Sequence, residues 1–284
     1  MKRARGARLV SIVLQMQDDF EGDRAVRAGY SGLNSDQRMC ETENAMGTRF
    51  ENKLVVVAGG TGGLGRAVSL AFLAESARVA VTYRAEAEWA ALKSAAGANA
   101  VRLEGYAVDV TDEAAVRAFA AKLSAEGGNL DVLVNTVGGY AGGVPLWQTE
   151  ANVMERMLAL NVRPGFLLAR AFVPGMMERR GGAVVNIAAR AAVDHAAGAG
   201  AYAASKAAAV AMMDCLAEDL KGTGVRVNSV LPSIIDTEAN RKAMPGADFA
   251  AWPKPEEIAE VVLFLASAEA RLVHGASVPV YGSS

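Results

Sequence analysis

This 284-residue chain holds only two cysteines and two histidines. Cys40 and Cys215 lie far apart, and His195 and His274 add no ligand spacing to them, so neither a disulfide framework nor a metal site is expected. An excess of one charge is also missing. With 29 basic and 31 acidic residues the formal net charge is -2, which leaves no electrostatic footprint for nucleic acid or an anionic membrane surface. No apolar run approaches the roughly 20 residues that span a bilayer, and the expectation is a cytoplasmic protein. What is plentiful is apolar side chain, at 52% of residues, enough to bury the full core of one α/β domain.

Residues 1–45 read differently from the rest. MKRARGAR followed by LVSIVLQM has the basic start and short apolar segment of a signal peptide, but QMQDDFEGD offers no small-residue cleavage site. The polar stretch that follows has no helix or strand period, so a disordered extension is expected before a domain beginning near Met46.

From Lys53 the pattern changes to KLVVVAGGTGGLGRAVSLAFLAESARVAVTYR, an apolar strand, a glycine-rich turn, an amphipathic helix and a second apolar strand. Strands apolar on both faces belong to a parallel sheet covered on both sides. Gly59, Gly63 and Gly65, with Leu64 among them, stand between strand and helix. Glycines there allow a tight turn and close approach of a pyrophosphate to the backbone, while the helix start offers unpaired N–H groups. The second strand, Arg78 to Tyr83, ends in Tyr83 and Arg84 with no acid until Glu86. An acid at that strand end would bind a ribose 2′-hydroxyl and an arginine accommodates a 2′-phosphate, so NADP(H) is favoured over NAD(H).

Strands are expected at Glu104 to Asp109, Leu130 to Asn135, Ala183 to Ala188, Val225 to Leu231 and in ASVPVY near the end, separated by helices. Thr111 or Asp112 caps the third helix. Asp109 and Val110, at a strand end on the cofactor side, are placed to meet the adenine, and Asn135 opens the glycine-dense loop NTVGGYAGG. A helical stretch from about Thr149 to Met177 should break near Asn161 and Pro164, where an asparagine side chain or a freed carbonyl can hold a water. The excursion LPSIIDTEANRKAMPGADFAAW, with a substrate lid expected around 233–253, is too long for a plain connection. The whole predicts a single doubly wound parallel sheet of about seven strands, Rossmann-type, with helices on both faces.

Within the alanine-rich helix that follows the fifth strand stands YAASK, Tyr202 to Lys206. Four residues apart, the phenol and the ammonium share one helix face. A phenol titrates near ~10 in water, and a neighbouring cation favours its ionised form. With the glycine triplet, Asp109, Asn161 and YAASK in this order, the chain from about Phe50 onward resembles the short-chain dehydrogenase/reductase family. The resemblance implies a nicotinamide cofactor, a small-molecule substrate, and homodimers or homotetramers. It implies that Tyr202 is the proton donor or acceptor, that Lys206 holds the nicotinamide ribose and lowers the phenol's pKa, and that Asn161 supports a relay water. Pro232, Ile235 and Thr237 match the segment that clasps the nicotinamide amide, with Ser233 where the family usually has glycine.

One departure bears on the chemistry. The family's catalytic serine lies thirteen residues before the tyrosine, and here that position is Ala189. Losing one preorganised donor typically costs ~3 kcal/mol in the transition state. Three readings stay open: a substrate that does not need the serine, a substitute donor, or a dinucleotide-binding sensor without catalysis. The dihydropteridine reductase branch of the family also lacks the serine and is similar in GGYAGG and in the lid stretch, which implies reduction of a quinonoid pterin. Tyr140, Trp147, His195 and Arg190 are the further candidates to meet a substrate; Tyr140 and Trp147 could stack on a flat ring, His195 could donate a proton and Arg190 could meet an anion.

Overall fold

The computed structural model describes residues 49–283, so the expectation for residues 1–45 lies outside the described residues. Strand β1 (Leu54–Ala58) is buried along its whole length, as an apolar strand covered on both faces must be. It pairs in parallel with β2 (Arg78–Tyr83) on one side and β4 (Leu130–Asn135) on the other. With β3 (Leu103–Ala107), β5 (Gly182–Ile187), β6 (Val225–Pro232) and β7 (Ala276–Val280), these form one seven-stranded parallel sheet in the order β3-β2-β1-β4-β5-β6-β7. The order reverses between β1 and β4, and a crevice opens at the carboxyl ends of strands at such a reversal.

Two cores sandwich the sheet. On one face α1 (Gly63–Ala74), α2 (Glu86–Ala96) and α8 (Pro255–Ala266) bury Phe72, Leu92, Ile258 and Leu263 against Val55, Val57 and Val185. On the other, α3 (Glu113–Ala125), α5 (Arg163–Glu178) and α6 (Gly200–Asp219) bury Phe119, Phe172 and Met213 against Val56, Leu133 and Val227. The alternation along β1 sends Val55 and Val57 to the first core and Val56 to the second. Arg49 and Phe50 tie the chain down before β1: the Arg49 guanidinium pairs with Glu75, and Phe50 meets Phe72 edge to face at 4.8 Å.

The expected end of the third strand moves, for a local reason, while the cap of the next helix and the break in the long helix fall among the expected places. Strand β3 stops at Ala107 rather than Asp109, because the Asp109 carboxylate accepts from both the N–H and the hydroxyl of Thr111 and turns the chain out of the ladder. That leaves Asp112, not Thr111, as the cap of α3, accepting from Ala115 N at 3.0 Å. The long helix divides into α4 (Ala151–Asn161) and α5, with the break at Val162 and Pro164 in the first turn of α5, where its missing N–H leaves no bond unmade. The stretch after β6 carries a short helix, α7 (Glu238–Ala243), capped by Thr237, and a 3₁₀ turn, Phe249–Ala251. Asp236 and Arg241 pair across it through two hydrogen bonds, and the Arg241 guanidinium lies over the Phe249 ring.

Candidate dinucleotide and active site

The turn after β1 is held open by small residues and by hydroxyls. Gly59 adopts φ +73°, and its N–H donates to Thr82 Oγ1 at the end of β2. The Thr136 hydroxyl donates to the Ala58 carbonyl at 2.7 Å and so ties the end of β4 to the same turn. At Gly65 a side-chain carbon would stand 2.1 Å from the Gly59 carbonyl, so only glycine lets α1 start this close to the strand. Helix α1 has no acid in its first turn and no side-chain cap, leaving its first N–H groups for an anion. A backbone cradle of this kind fits the pyrophosphate of a dinucleotide.

The crevice beside the cradle is lined by Gly59, Thr61, Gly62, Tyr83, Arg84, Glu88, Asp109, Val110, Val137 and Gly138, among others. The structure thus brings Gly59, Tyr83, Arg84, Asp109 and Val110 together along one crevice. Gly63 faces Thr237 across the cradle: a carbon added to Gly63 would meet Thr237 Cγ2 at 2.9 Å. Ile235 lies beside it, its carbonyl accepting from Thr237 N and from Asn240 Nδ2, and Pro232 ends β6. Leu64 is buried in the first turn of α1. Asn135 is turned into the sheet, donating to Asn186 Oδ1 at 2.9 Å and accepting from Val137 N, so it holds the loop after β4 instead of lining the crevice.

A carboxylate that sequence reasoning passed over also lines this crevice. Glu88, on α2, accepts from the Thr61 hydroxyl of the glycine turn at 2.9 Å. Glu86, the nearest acid in sequence, is occupied by the Tyr83 hydroxyl at 2.7 Å. Glu88 lies six residues beyond Thr82, and only the helical return of α2 brings it back over the turn, a signal that strand-end inspection does not contain. Arg84 is exposed next to Asp109, whose carboxyl is held below the usual range by the Thr111 hydrogen bonds first and by the Arg84 charge last.

Deeper in, the end of α4 and the start of α6 converge on the loop after β4. Lys206 is buried, its Nζ donating to the Ile187 carbonyl at 3.2 Å. Burial pushes this ammonium down to about 8. Asn161 Oδ1 accepts from Gly139 N at 2.9 Å, while its amide nitrogen donates to the Gly139 carbonyl at 3.0 Å and to Ser205 Oγ at 2.9 Å. Gly138 has no side chain because Asn161 Oδ1 and Lys206 Nζ occupy that space, 2.8 Å and 3.1 Å from where a Cβ would sit. Tyr202, on the same helix as Lys206, meets Tyr140 edge to face with ring centroids 4.9 Å apart.

The Tyr202 phenol departs from expectation. Burial, with a smaller contribution from the Tyr140 hydroxyl, pushes it up to about 12, where a lowering by Lys206 is implied by resemblance. The Lys206 ammonium donates to the Ile187 carbonyl, and desolvation is the leading cause of the phenol's upward shift. Ala189 is buried, presenting a methyl group. His195 is exposed in the loop before α6. The Arg190 guanidinium pairs with Asp194 at 2.8 Å and lies over the Tyr281 ring, so its charge is already answered. Trp147 projects from the 3₁₀ turn Leu146–Gln148, 84% exposed. Of these substrate candidates only Tyr140 is brought against Tyr202.

Residues 53–247 match the short chain dehydrogenase family. The chain belongs to that family. As a short chain dehydrogenase it is an oxidoreductase built to use a nicotinamide dinucleotide. It is similar to D-threitol dehydrogenase of Mycolicibacterium smegmatis, 35% identical over 82% of this chain and 93% of that protein. It is also similar to meso-2,3-butanediol dehydrogenase of Serratia marcescens, 32% identical over 83% of this chain and 96% of the other. In shape it matches the solved structure of ElxO with NADP bound at a TM-score of 0.77, over 81% of this chain and 97% of that one; at 24% identity this likeness concerns the fold alone. Among the described residues no helix is long and apolar enough to cross a membrane, and no three His, Cys, Asp or Glu side chains are grouped to hold a metal.

Proposed function

We propose that this short chain dehydrogenase interconverts a small carbonyl compound and its alcohol, with Tyr202 as the proton donor in reduction and NADP(H) preferred over NAD(H). The observation that carries the reading is the convergence of Tyr202, Lys206 and Asn161 on the loop after β4, next to the glycine cradle. The bound nicotinamide supplies hydride at its C4. The chain supplies the rest. A phenol that stays protonated at neutral pH can give its proton to an oxygen gaining negative charge. Lys206, still mostly an ammonium at neutral pH, lies behind it as a buried cation that favours the phenolate left by that transfer. The Asn161 side chain is fully engaged with Gly139 and Ser205, so a relay water would rest on the main-chain carbonyl at the α4–α5 break.

Arg84 supports the NADP(H) preference as an exposed guanidinium in the crevice, and Glu88 works against it by placing a carboxylate in the same lining. Pro232, Ile235, Thr237 and the segment 233–253 would close over the nicotinamide as a lid. Exposed apolar residues on adjoining helices, Met154 and Leu158 of α4 and Phe166 of α5, suit self-association into a homodimer or homotetramer in the cytoplasm.

Substrates of two kinds fit. The relatives' names point to small diols and their ketones. A second kind, a flat conjugated ring such as a quinonoid dihydropterin, is favoured by one observation: an exposed Tyr140 ring stands at Tyr202 where a ring substrate could lie, with only a methyl group at position 189. The test is a screen of cofactor oxidation with NADPH and NADH against vicinal diketones, hydroxyketones, quinones and quinonoid dihydropterin. Turnover of the ketones supports the first kind, and turnover of the pterin alone supports the second. Tight dinucleotide binding with no oxidation of either cofactor would replace the enzyme reading by that of a sensor.

A further inference from the structure

The serine position carries a methyl group, yet the pocket has a second phenol. We propose that the Tyr140 hydroxyl takes over the missing serine's task, donating a hydrogen bond to the same substrate oxygen that Tyr202 protonates. The inference rests on the carbonyl-reduction reading above.

Four features of the structure support it. The Tyr140 and Tyr202 rings stand edge to face at 4.9 Å, a contact that keeps both side chains on the same side of the pocket. Tyr140 is two-thirds exposed, so a substrate can approach its side chain from solvent. The loop that carries it is anchored to the very segment that launches α6: Gly143 N donates to the Gly198 carbonyl at 3.0 Å, two residues before the helix of Tyr202 begins. Its position is also shaped by its neighbour. The Tyr140 hydroxyl lies over Gly142, only 2.2 Å from where a Cβ on that residue would sit, so the ring occupies its place because residue 142 has no side chain.

The chemistry suits the exchange. A serine hydroxyl and a tyrosine hydroxyl are both single O–H donors, and the phenol is the more acidic and so the stronger donor to a developing oxyanion. In this step Tyr140 only donates a hydrogen bond; the proton that moves is that of Tyr202. The edge-to-face contact of the two rings at 4.9 Å brings both phenols to one part of the pocket, where a single substrate oxygen can meet them. His195 and Arg190 offer no comparable route, the first exposed in the preceding loop and the second paired with Asp194.

The test uses whichever carbonyl substrate the wild-type protein reduces, with four variants: Tyr140→Phe, Gly142→Ala, Ala189→Ser, and Tyr140→Phe with Ala189→Ser. Tyr140→Phe keeps the ring and the edge contact while removing the donor, and should lower kcat by about a hundredfold with KM changed only a few-fold. Gly142→Ala should displace the tyrosine and lower kcat in the same direction. Restoring serine in the double variant should recover most of the loss, and dinucleotide affinity, followed by quenching of protein fluorescence, should be the same in all four. A Tyr140→Phe enzyme within twofold of wild type in kcat, or a double variant no better than Tyr140→Phe alone, would overturn the assignment. If the wild-type protein reduces no carbonyl at all, the proposed function fails first and this inference falls with it, before any variant is made.

Discussion

Asn161 and Gly139 face each other as a reciprocal pair: the Gly139 N–H donates to the Asn161 side-chain oxygen at 2.9 Å, and the Asn161 amide donates back to the Gly139 carbonyl at 3.0 Å. A side-chain amide is thereby used as a peptide group would be in a sheet, and it stitches the end of α4 to the loop that carries Gly138 and Tyr140. The third bond, to Ser205, carries the connection into α6 one residue before Lys206.

Replacing Asn161 by Ala should therefore act on structure and chemistry together. The partly buried N–H and carbonyl of Gly139 would lose their partners, each such loss costing on the order of 1–3 kcal/mol at most. Urea unfolding should show a destabilisation of roughly 2–4 kcal/mol on that basis, accompanied by a fall in kcat. A fully stable Asn161→Ala protein with lowered kcat alone would mean that the pair is catalytic and not architectural.

Lys206 should set the pH dependence. Its ammonium, pushed down to about 8 by burial, is required in the protonated form if it is to favour the phenolate, so the contribution is present below pH 8 and is lost as pH rises through that value. The Tyr202 phenol, up at about 12, stays protonated across the same range and adds no inflection there. The profile of kcat/KM for reduction should accordingly fall above about pH 8. Lys206→Arg, whose side chain stays charged, should remove the inflection whatever its overall rate.

Cofactor choice should respond to Arg84 and Glu88 in opposite directions. Arg84→Ala should weaken NADP+ binding by about tenfold while leaving NAD+ nearly unchanged, consistent with loss of one charged contact to phosphate. Glu88→Gln should strengthen NADP+ relative to NAD+, since it removes a carboxylate without removing the Thr61 partner. Calorimetric titration of both dinucleotides measures the two shifts directly.

His274 tests the sheet away from the site. Its Nδ1 accepts from Val227 N at 3.1 Å and its Nε2 reaches the Ala217 carbonyl at 2.8 Å, so one ring joins β6 to the end of α6. His274→Ala should cost roughly 1–3 kcal/mol in denaturant unfolding by leaving those backbone groups unpaired. Turnover per folded molecule should not change.

Much of this architecture was legible in the chain because its strands are uniformly apolar and its turns glycine-rich. The limits of Arg78–Tyr83 and Leu130–Asn135 follow from hydrophobic runs alone, and YAASK needs only the helical period to bring Tyr202 and Lys206 to one face. What escaped was everything that depends on a helix folding back. Glu88 reaches Thr61 across 27 residues, and Asn161 meets Gly139 across 22; no local spacing announces either. The direction of the Tyr202 shift was hidden for the same reason, because the burial of the phenol is set by the surrounding loops and the period of its own helix says nothing about it.

The most direct test of the account follows a labelled hydride. With NADPH carrying deuterium at both C4 positions of the nicotinamide and a reducible small ketone, mass spectrometry of the alcohol should find deuterium on the new carbinol carbon. Tyr202→Phe should abolish that product by a factor of a thousand or more, on the order expected when the proton donor is lost from a preorganised site, with NADPH affinity retained. Deuterium absent from the product, or a Tyr202→Phe enzyme that turns over near the wild-type rate, would contradict hydride transfer with Tyr202 as the acid.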